Sequence, residues 1–435
     1  MKRVRAFCVL AALAFCLPAA AADGGDQLTP EQRRLCEQSF DQVWQIVYDR
    51  HYDTTFGGVD WPGLRIELRP KLDTCETMAD VRVLLAEMIH RLGLSHFEIL
   101  PGEILSTMDI PDNPVDQAGV TGMVVRVVGG AALVARVRPE TPAAEAGIRP
   151  GWEVVTAGGD KVTEVLAPLQ EQYADHIRYP IYAATAVLNR LAGKVGDTVT
   201  ATFRDSSGNL VTDSLVLAER VGQRTVFGNL PPFYLTIDTA TLEGGIGYFA
   251  FNCFFDPGML MGRFQEFVAA HRDAPGWIID VRGNPGGIGG IAMGLAGFMV
   301  SEKNLLIGTL TTRESNLKMV INPRAETYDG RVAVLIDGLS GSSAEFFSGG
   351  LQAIGRARVF GSRSMGAALS AMTEKLANGD ALLYVFADFL SADGTRLEGT
   401  GVTPDEPVEL TRESLLAGRD RVIEAAADWI RQQEK

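Results

Sequence analysis

The run Asp337-Gly-Leu-Ser-Gly-Ser-Ser-Ala-Glu345 places three hydroxyls on a small-residue turn between an apolar stretch, 332–336, and the start of a helical pattern. A serine at the head of a helix lies where unpaired backbone N–H groups and the positive end of the macrodipole favour a developing oxyanion. Such a serine can serve as a nucleophile or simply cap the helix, and the segment alone admits both. Ser340, Ser342 and Ser343 are all candidates. Two other places carry chemistry. His96 follows Gly93, where an amphipathic helix over 77–92 stops, and histidine titrates close to working pH. Gly286-Gly287 ends the turn Asp280-Val-Arg-Gly-Asn-Pro-Gly-Gly287, where glycine lets backbone N–H groups approach a ligand closely. A plain tight turn would use the same residues.

The elements that must position these groups follow from periodicity. Thr29-Pro30-Glu31-Gln32 opens a helix, with Phe40, Val43, Trp44, Val47 and Tyr48 at core spacing. From about Thr121 the pattern changes to short β-branched strands, beginning with a hairpin over 124–137 turned at Gly129-Gly130. From about Val226 strands alternate with helices: 245–251, then 257–272, then the buried strand 277–281, then 332–336 and the serine helix, then 357–360. That alternation predicts an α/β domain with a mostly parallel central sheet, whose ligands gather beyond the strand carboxyl ends.

The chain has 435 residues, room for about three domains at about 150 residues each. Lys2, Arg3 and Arg5, an apolar core over 6–17, and Ala20-Ala21-Ala22 read as a secretory leader over 1–22, cleaved before Asp23. The net charge of −14 falls to −17 without the leader, with 37 basic residues against 54 acidic. Such a surface repels nucleic acid and anionic lipid, which excludes both as partners. Export, periplasmic or secreted, permits disulfides: Cys36 and Cys75 are the expected pair, with Cys253 left free. No cysteine or histidine cluster has zinc spacing, so no metal is expected. His51, His90, His176 and His271 belong to no motif and read as structural or surface residues.

Two resemblances organise these pieces. Residues 117–218, with Arg138-Pro-Glu-Thr-Pro-Ala-Ala-Glu-Ala-Gly147 and the Pro150-Gly151 turn, resemble a PDZ domain carrying a helical insertion over 164–194. PDZ domains add a peptide as an extra strand and seat its terminal carboxylate in a backbone nest. The resemblance puts that site at Gly122, Met123 and Val124, with Met123 as an apolar contact. The glycine turn 280–287, the serine block, Gln352-Ala-Ile-Gly-Arg356, Gly361 and Gly401-Val-Thr-Pro-Asp405 resemble the C-terminal processing, or tail-specific, proteases across nearly the whole chain. That resemblance implies Ser342 as nucleophile, with the N–H groups of Ser343 and of Gly287 or Gly286 as oxyanion hole.

One departure changes the implied mechanism. Where the bacterial tail-specific proteases carry a lysine base in a Gly-Lys-Gly context, this chain has Ser364-Met-Gly-Ala-Ala-Leu369, with Ala367 at the lysine position. Lys375 lies in a later strand. Gly93-Leu-Ser-His-Phe-Glu98 instead resembles the Ser-His pair of the tricorn core protease. That likeness implies His96 as general base and Glu398 as the orienting acid, with Ser95 bridging the two. Asp393, Glu345 and Glu98 remain alternative acids. The expected architecture is therefore multidomain α/β: a leader, an N-terminal helical domain over 23–112, a PDZ-like β domain over 113–218, and an α/β catalytic domain over 219–435. The implied activity is serine-type peptide hydrolysis of a polypeptide substrate without a cofactor. Some relatives use the same fold to hold hydrophobic ligands, so an inactive binding protein or PDZ adaptor is the rival.

Overall fold

The structure is a computed structural model that describes residues 27–105, 115–228 and 230–432; the expected leader, with Cys8 and Cys16, and the expected boundary at 112–113 lie outside the described residues. The chain is a mixed α/β molecule with three helices first and several sheets after them. Helix Pro30–Arg50 opens on a capping box between Thr29 and Gln32, and helix Met78–His90 on one between Thr77 and Asp80. Gly93, at φ +65°, turns the chain out of the latter towards His96.

A six-stranded sheet runs in the order Ile237–Thr241, Gly247–Phe251, Gly276–Asp280, Arg331–Ile336, Arg358–Gly361, Glu406–Pro407. Its first pairing is antiparallel and the other four are parallel. Gly276–Asp280 is buried along its whole length, and of Arg331–Ile336 only Arg331 is not. This explains why both read as unbroken apolar runs rather than alternating strands. Helices Pro257–Ala270, Gly289–Ala296 and Ser343–Ala353 pack on one face through Phe249, Phe264, Trp277, Leu295 and Phe347. Arg421–Arg431 covers the other face.

A second sheet was not anticipated from the sequence. Strands Leu305–Thr312, Asn316–Ile321, Leu369–Lys375 and Ala381–Ser391 form antiparallel ladders, and Glu98–Leu100 joins them by pairing with 381–383. The N-terminal helices use this sheet as a floor: Phe40, Trp61, Leu85 and Phe97 share one core with Leu369, Leu382, Tyr384 and Val385. The three helices therefore bury their apolar faces against strands almost 300 residues downstream as well as against each other.

The middle of the chain forms an antiparallel sheet ordered Met123–Val128, Ala131–Val137, Glu153–Ala157, Thr198–Arg204, Leu210–Val216. Helices Val162–Tyr173 and Tyr179–Arg190 follow, the first beginning two residues before the expected insertion over 164–194. Cys36, Cys75 and Cys253 are all free and buried, so the expected Cys36–Cys75 bridge is absent. The two thiols have separate partners, Met78 Sδ at 3.5 Å for Cys36 and the Lys71 carbonyl at 3.6 Å for Cys75. No helix among the described residues is long and apolar enough to cross a membrane.

Candidate active site

Three loops leave the carboxyl ends of neighbouring parallel strands and meet at one place: 281–288, 337–342 and 362–368. Asn284 is fully buried and ties the first to the second; its side-chain oxygen accepts the Gly286 N–H at 2.9 Å and its carbonyl the Gly341 N–H at 2.9 Å. Asp337 does the same from the other side, accepting from Gly283 N–H at 2.8 Å and Leu339 N–H at 3.0 Å.

The three serines separate by their partners. Ser340 donates to the Val281 carbonyl at 2.8 Å and Ser343 to the Gly287 carbonyl at 2.7 Å. Ser342 donates its hydroxyl to no backbone carbonyl among the described residues, and its backbone sits at φ +52°, ψ −119° at the head of helix Ser343–Ala353. A serine in that region of the map is strained at a cost of order 1–3 kcal/mol, which surrounding structure has to hold. His96 is the second strained residue of the site, at φ +60°.

Gly286 and Gly287 face this serine. A Cβ on Gly286 would lie 2.6 Å from Ser342 Cβ and 2.8 Å from the Ser343 nitrogen, and φ there is +106°. The Gly286 N–H is already taken by Asn284, so Gly286 is not the free oxyanion donor; its part is to let the two loops touch. The N–H groups of Gly287 and Ser343 meet no acceptor among the described residues, as an oxyanion hole requires. Gly286→Ala is expected to lower kcat by at least about 100-fold, because it displaces the turn that presents Gly287, an effect of the size seen on losing one oxyanion donor. Turnover within a few-fold of wild type would contradict that geometry.

His96 lies at the end of a buried relay. Ser95 Oγ is 2.7 Å from His96 Nδ1 and donates to Glu398 Oε2 at 2.8 Å; the Ser95 N–H donates to Glu398 Oε1 at 3.0 Å. A hydroxyl has one proton, and Glu398 takes it. Nδ1 must therefore carry a hydrogen and donate to Ser95, which leaves Nε2 as the free lone pair. Burial pushes the imidazole down to about 4; Glu398 opposes that shift and Arg178 adds to it. His96 is thus neutral throughout the neutral range, the state a general base needs.

Glu398 accepts two more hydrogen bonds, from Ala368 N–H at 2.9 Å and from Arg178 Nη2 at 2.7 Å. The Arg178–Glu398 pair is almost wholly buried, and the same nitrogen reaches the Gly366 carbonyl at 2.9 Å. One peptide unit joins the relay to Ser342: the Ala367 carbonyl accepts the Ser342 N–H at 2.7 Å, while the adjoining Ala368 N–H goes to Glu398. Among the described hydrogen bonds none links the Ser342 hydroxyl to His96; in unliganded sites such bonds are often long and tighten only with substrate.

The alternative groups stand elsewhere. Lys375 borders a hollow with Arg82, Asn378 and Asp380 on the N-terminal side, and Ala367 brings only a buried methyl group to the lysine position. Asp393 caps its own turn through Ser391 and Thr395. Glu98 lies on the strand paired with Leu383, and burial pushes its carboxyl up to about 7. Glu345 accepts the Ser342 N–H at 3.1 Å, on the serine side of the site.

Arg178 is the site residue that sequence reasoning missed. It belongs to the loop between the two inserted helices, where Ile177 presses against Gly366 and Gly401. Ile181 and Ala184 of the following helix cluster with Leu339, Met365 and Ala367. A second ion pair, Arg126 to Asp337 at 2.8 Å, fastens the middle sheet to the loop before the serine. Gly122, Met123 and Val124 line a groove with Leu188 and Leu191 that runs on to Gly283 and Pro285. Among the described residues Met123–Val128 has no sheet partner on that side, and the Met123 side chain turns into the core of its own sheet rather than standing free in the groove.

Two family models match parts of the chain. The model of peptidase family S41 matches residues 245–408, and the tricorn protease C1 domain matches residues 33–90. These matches support a likeness to the C-terminal processing proteases, a group of serine peptidases, with residues 245–408 carrying the family S41 match. It is 25% identical over 386 residues to the chloroplastic carboxyl-terminal-processing peptidase 3 of Arabidopsis thaliana, covering 87% of this chain and 69% of that one. To a probable CtpA-like serine protease of Staphylococcus saprophyticus it is 23% identical over 273 residues, 62% of this chain and 49% of the relative. Two solved structures share the fold. The photosystem II D1 C-terminal processing protease superposes at TM-score 0.58 with 20% identity, covering 89% of this chain and 95% of that one. Mature CPAF superposes at 0.60 with 15% identity, covering 92% and 96%.

Proposed function

We propose that the chain is an exported serine endopeptidase that hydrolyses polypeptides through an acyl-enzyme at Ser342, with His96 as general base and no cofactor. The observation that carries this reading is the Glu398–Ser95–His96 relay, joined to the serine loop through the single peptide 367–368. His96 Nε2 would take the Ser342 proton as the hydroxyl oxygen attacks the scissile carbonyl. The tetrahedral oxygen would then rest on the N–H groups of Gly287 and Ser343. The imidazolium would return its proton to the leaving amine, and water would repeat the cycle on the ester. Ala367 offers no amine, which favours the tricorn-like Ser-His-Glu set over the Ser-Lys one.

The division into a helical domain over 23–112, a PDZ-like domain over 113–218 and a catalytic domain over 219–435 belongs to the same proposal. The PDZ-like domain would present or gate the polypeptide. The groove from Gly122–Val124 towards Pro285 supports that role, since a strand added at the open edge of Met123–Val128 would lead to the serine.

The test is covalent labelling by a fluorophosphonate, together with hydrolysis of an unfolded polypeptide such as casein. Labelling at Ser342 that disappears in Ser342→Ala, with turnover lost in step, is the expected result. Well-folded protein that neither labels nor cleaves would favour the rival, a binding protein on the same fold.

A further inference from the structure

Glu345 is fully buried on the first turn of the serine helix. A glutamate there ordinarily closes a capping box with its own helix. This one does more. Its Oε2 accepts the N–H of Ser342 at 3.1 Å and of Ala367 at 2.9 Å. Its Oε1 accepts the Ser364 hydroxyl at 2.6 Å and the Gly366 N–H at 2.8 Å. Three of the four donors belong to the 364–367 segment, the stretch from which the lysine is missing. The next residue, Ala368, gives its N–H to Glu398. The two carboxylates thus grip one short segment from opposite ends, one holding the nucleophile and the other the base.

We propose that Glu345 is a positioning residue for the nucleophile: its carboxylate locks the Ser342 backbone to the 364–368 segment, and so to Glu398 and His96. The inference rests on the serine-peptidase reading above and specifies how that site is regulated. Every group Glu345 meets is a donor, so the carboxylate form fits the cage and the acid form does not. Of the four, only the Ser364 hydroxyl can reverse and accept a proton; the three backbone N–H groups cannot. The charged groups facing this cage are Glu398, across the 366–368 segment, and Arg178, bound to Glu398 and to the Gly366 carbonyl. Arg363 of the same loop is exposed, and the remainder of the serine helix carries no ionisable side chain. No arginine, lysine or histidine among the described residues pairs with Glu345, so its ionisation is held by hydrogen bonds alone. Burial pushes its carboxyl up to about 7, and Glu398 adds to that shift against the pull of the donors. The cage therefore tightens as pH rises through neutrality and loosens as it falls.

The experiment follows the fluorophosphonate labelling rate of Ser342 and kcat from pH 3 to 9 in the full chain, for wild type, Glu345→Gln and Ser364→Ala. Wild type is expected to gain activity with a midpoint near pH 7. Glu345→Gln should lose at least about ten-fold in kcat with KM little changed, since a side-chain amide turns N–H against N–H. It should also lose the neutral limb, leaving only the lower one from His96. Ser364→Ala keeps the carboxylate but removes one donor, so its limb should move to higher pH; this variant decides the matter should Glu345→Gln fail to fold. A Glu345→Gln enzyme that keeps the wild-type limb and a rate within two-fold, or a Ser364→Ala limb that does not move, overturns the proposal while leaving the peptidase reading intact. Wild type that never labels sinks the peptidase reading instead. Carboxyl carbon-13 titration of Glu345 then decides the positioning role: Ser342 and Ala367 amide shifts that follow its midpoint support it, and invariant amides overturn it.

Discussion

Replacing His96 by alanine is expected to lower kcat by about 10⁴–10⁶-fold, the range seen when one member of a serine triad is removed, the base giving the upper end. The reasoning starts from proton counts. Glu398 can only accept, Ser95 has one proton to give, and the imidazole must therefore hold its own proton on Nδ1 and offer Nε2. With its pKa held down to about 4 by burial, that nitrogen is unprotonated from mildly acid pH upward. The variant keeps Ser342, the Gly287 and Ser343 N–H groups and the fold, so residual turnover would measure what the oxyanion hole achieves alone. Steady-state hydrolysis of an unfolded polypeptide decides it. A His96→Ala enzyme within ten-fold of wild type would remove the imidazole from the mechanism.

The second large effect concerns Arg178. Methionine at this position leaves Glu398 as a buried carboxylate without its cation, a change that costs about 3–5 kcal/mol when one partner of a buried pair is removed. If that cost falls on the docked arrangement, the competent population drops by about 10²–10⁴-fold, since each 1.4 kcal/mol is about a factor of ten. A damaged fold would lower the rate equally at every pH. A lost cation would not, because Arg178 helps to depress the His96 pKa. Without it, Glu398 acts unopposed, the imidazole takes a proton more readily, and the lower, His96 limb of kcat moves to higher pH. Arg178→Lys should restore part of the rate, because an ammonium supplies the charge on a shorter, non-planar head that does not reproduce the position of the guanidinium nitrogen shared by Glu398 and the Gly366 carbonyl. A wild-type acid limb in Arg178→Met would show that the guanidinium only holds parts together.

How much of this was legible in the sequence depended on the range of the interaction. The serine helix announces itself locally, through a buried strand, a small-residue turn and the apolar spacing of Phe346, Phe347 and Leu351. His96 could not be reached from periodicity; only the likeness of Gly93-Leu-Ser-His-Phe-Glu98 to the tricorn motif raised it above an ordinary loop histidine. Arg178 gave no signal. Its partner is 220 residues away, and an arginine before a Tyr-Pro helix start looks like any solvated residue. The antiparallel sheet of 305–321 and 369–391 was missed for a related reason. Its strands are interleaved with the parallel ones, and their ladders depend on pairings no short window contains. The expected disulfide failed because shared location in a helical region says nothing of thiol geometry; each sulfur is packed against a different neighbour.

The pairing of Glu98–Leu100 with residues 381–383 has a bearing on how the molecule comes into being. During synthesis the imidazole emerges early, but its floor, its acid and its target hydroxyl all follow hundreds of codons later. A nascent or prematurely ended chain lacking the 381–391 strand has nothing to align the histidine against. On the proposed reading the order of translation acts as a safety catch, because cutting power waits until residues 381–398 have been made.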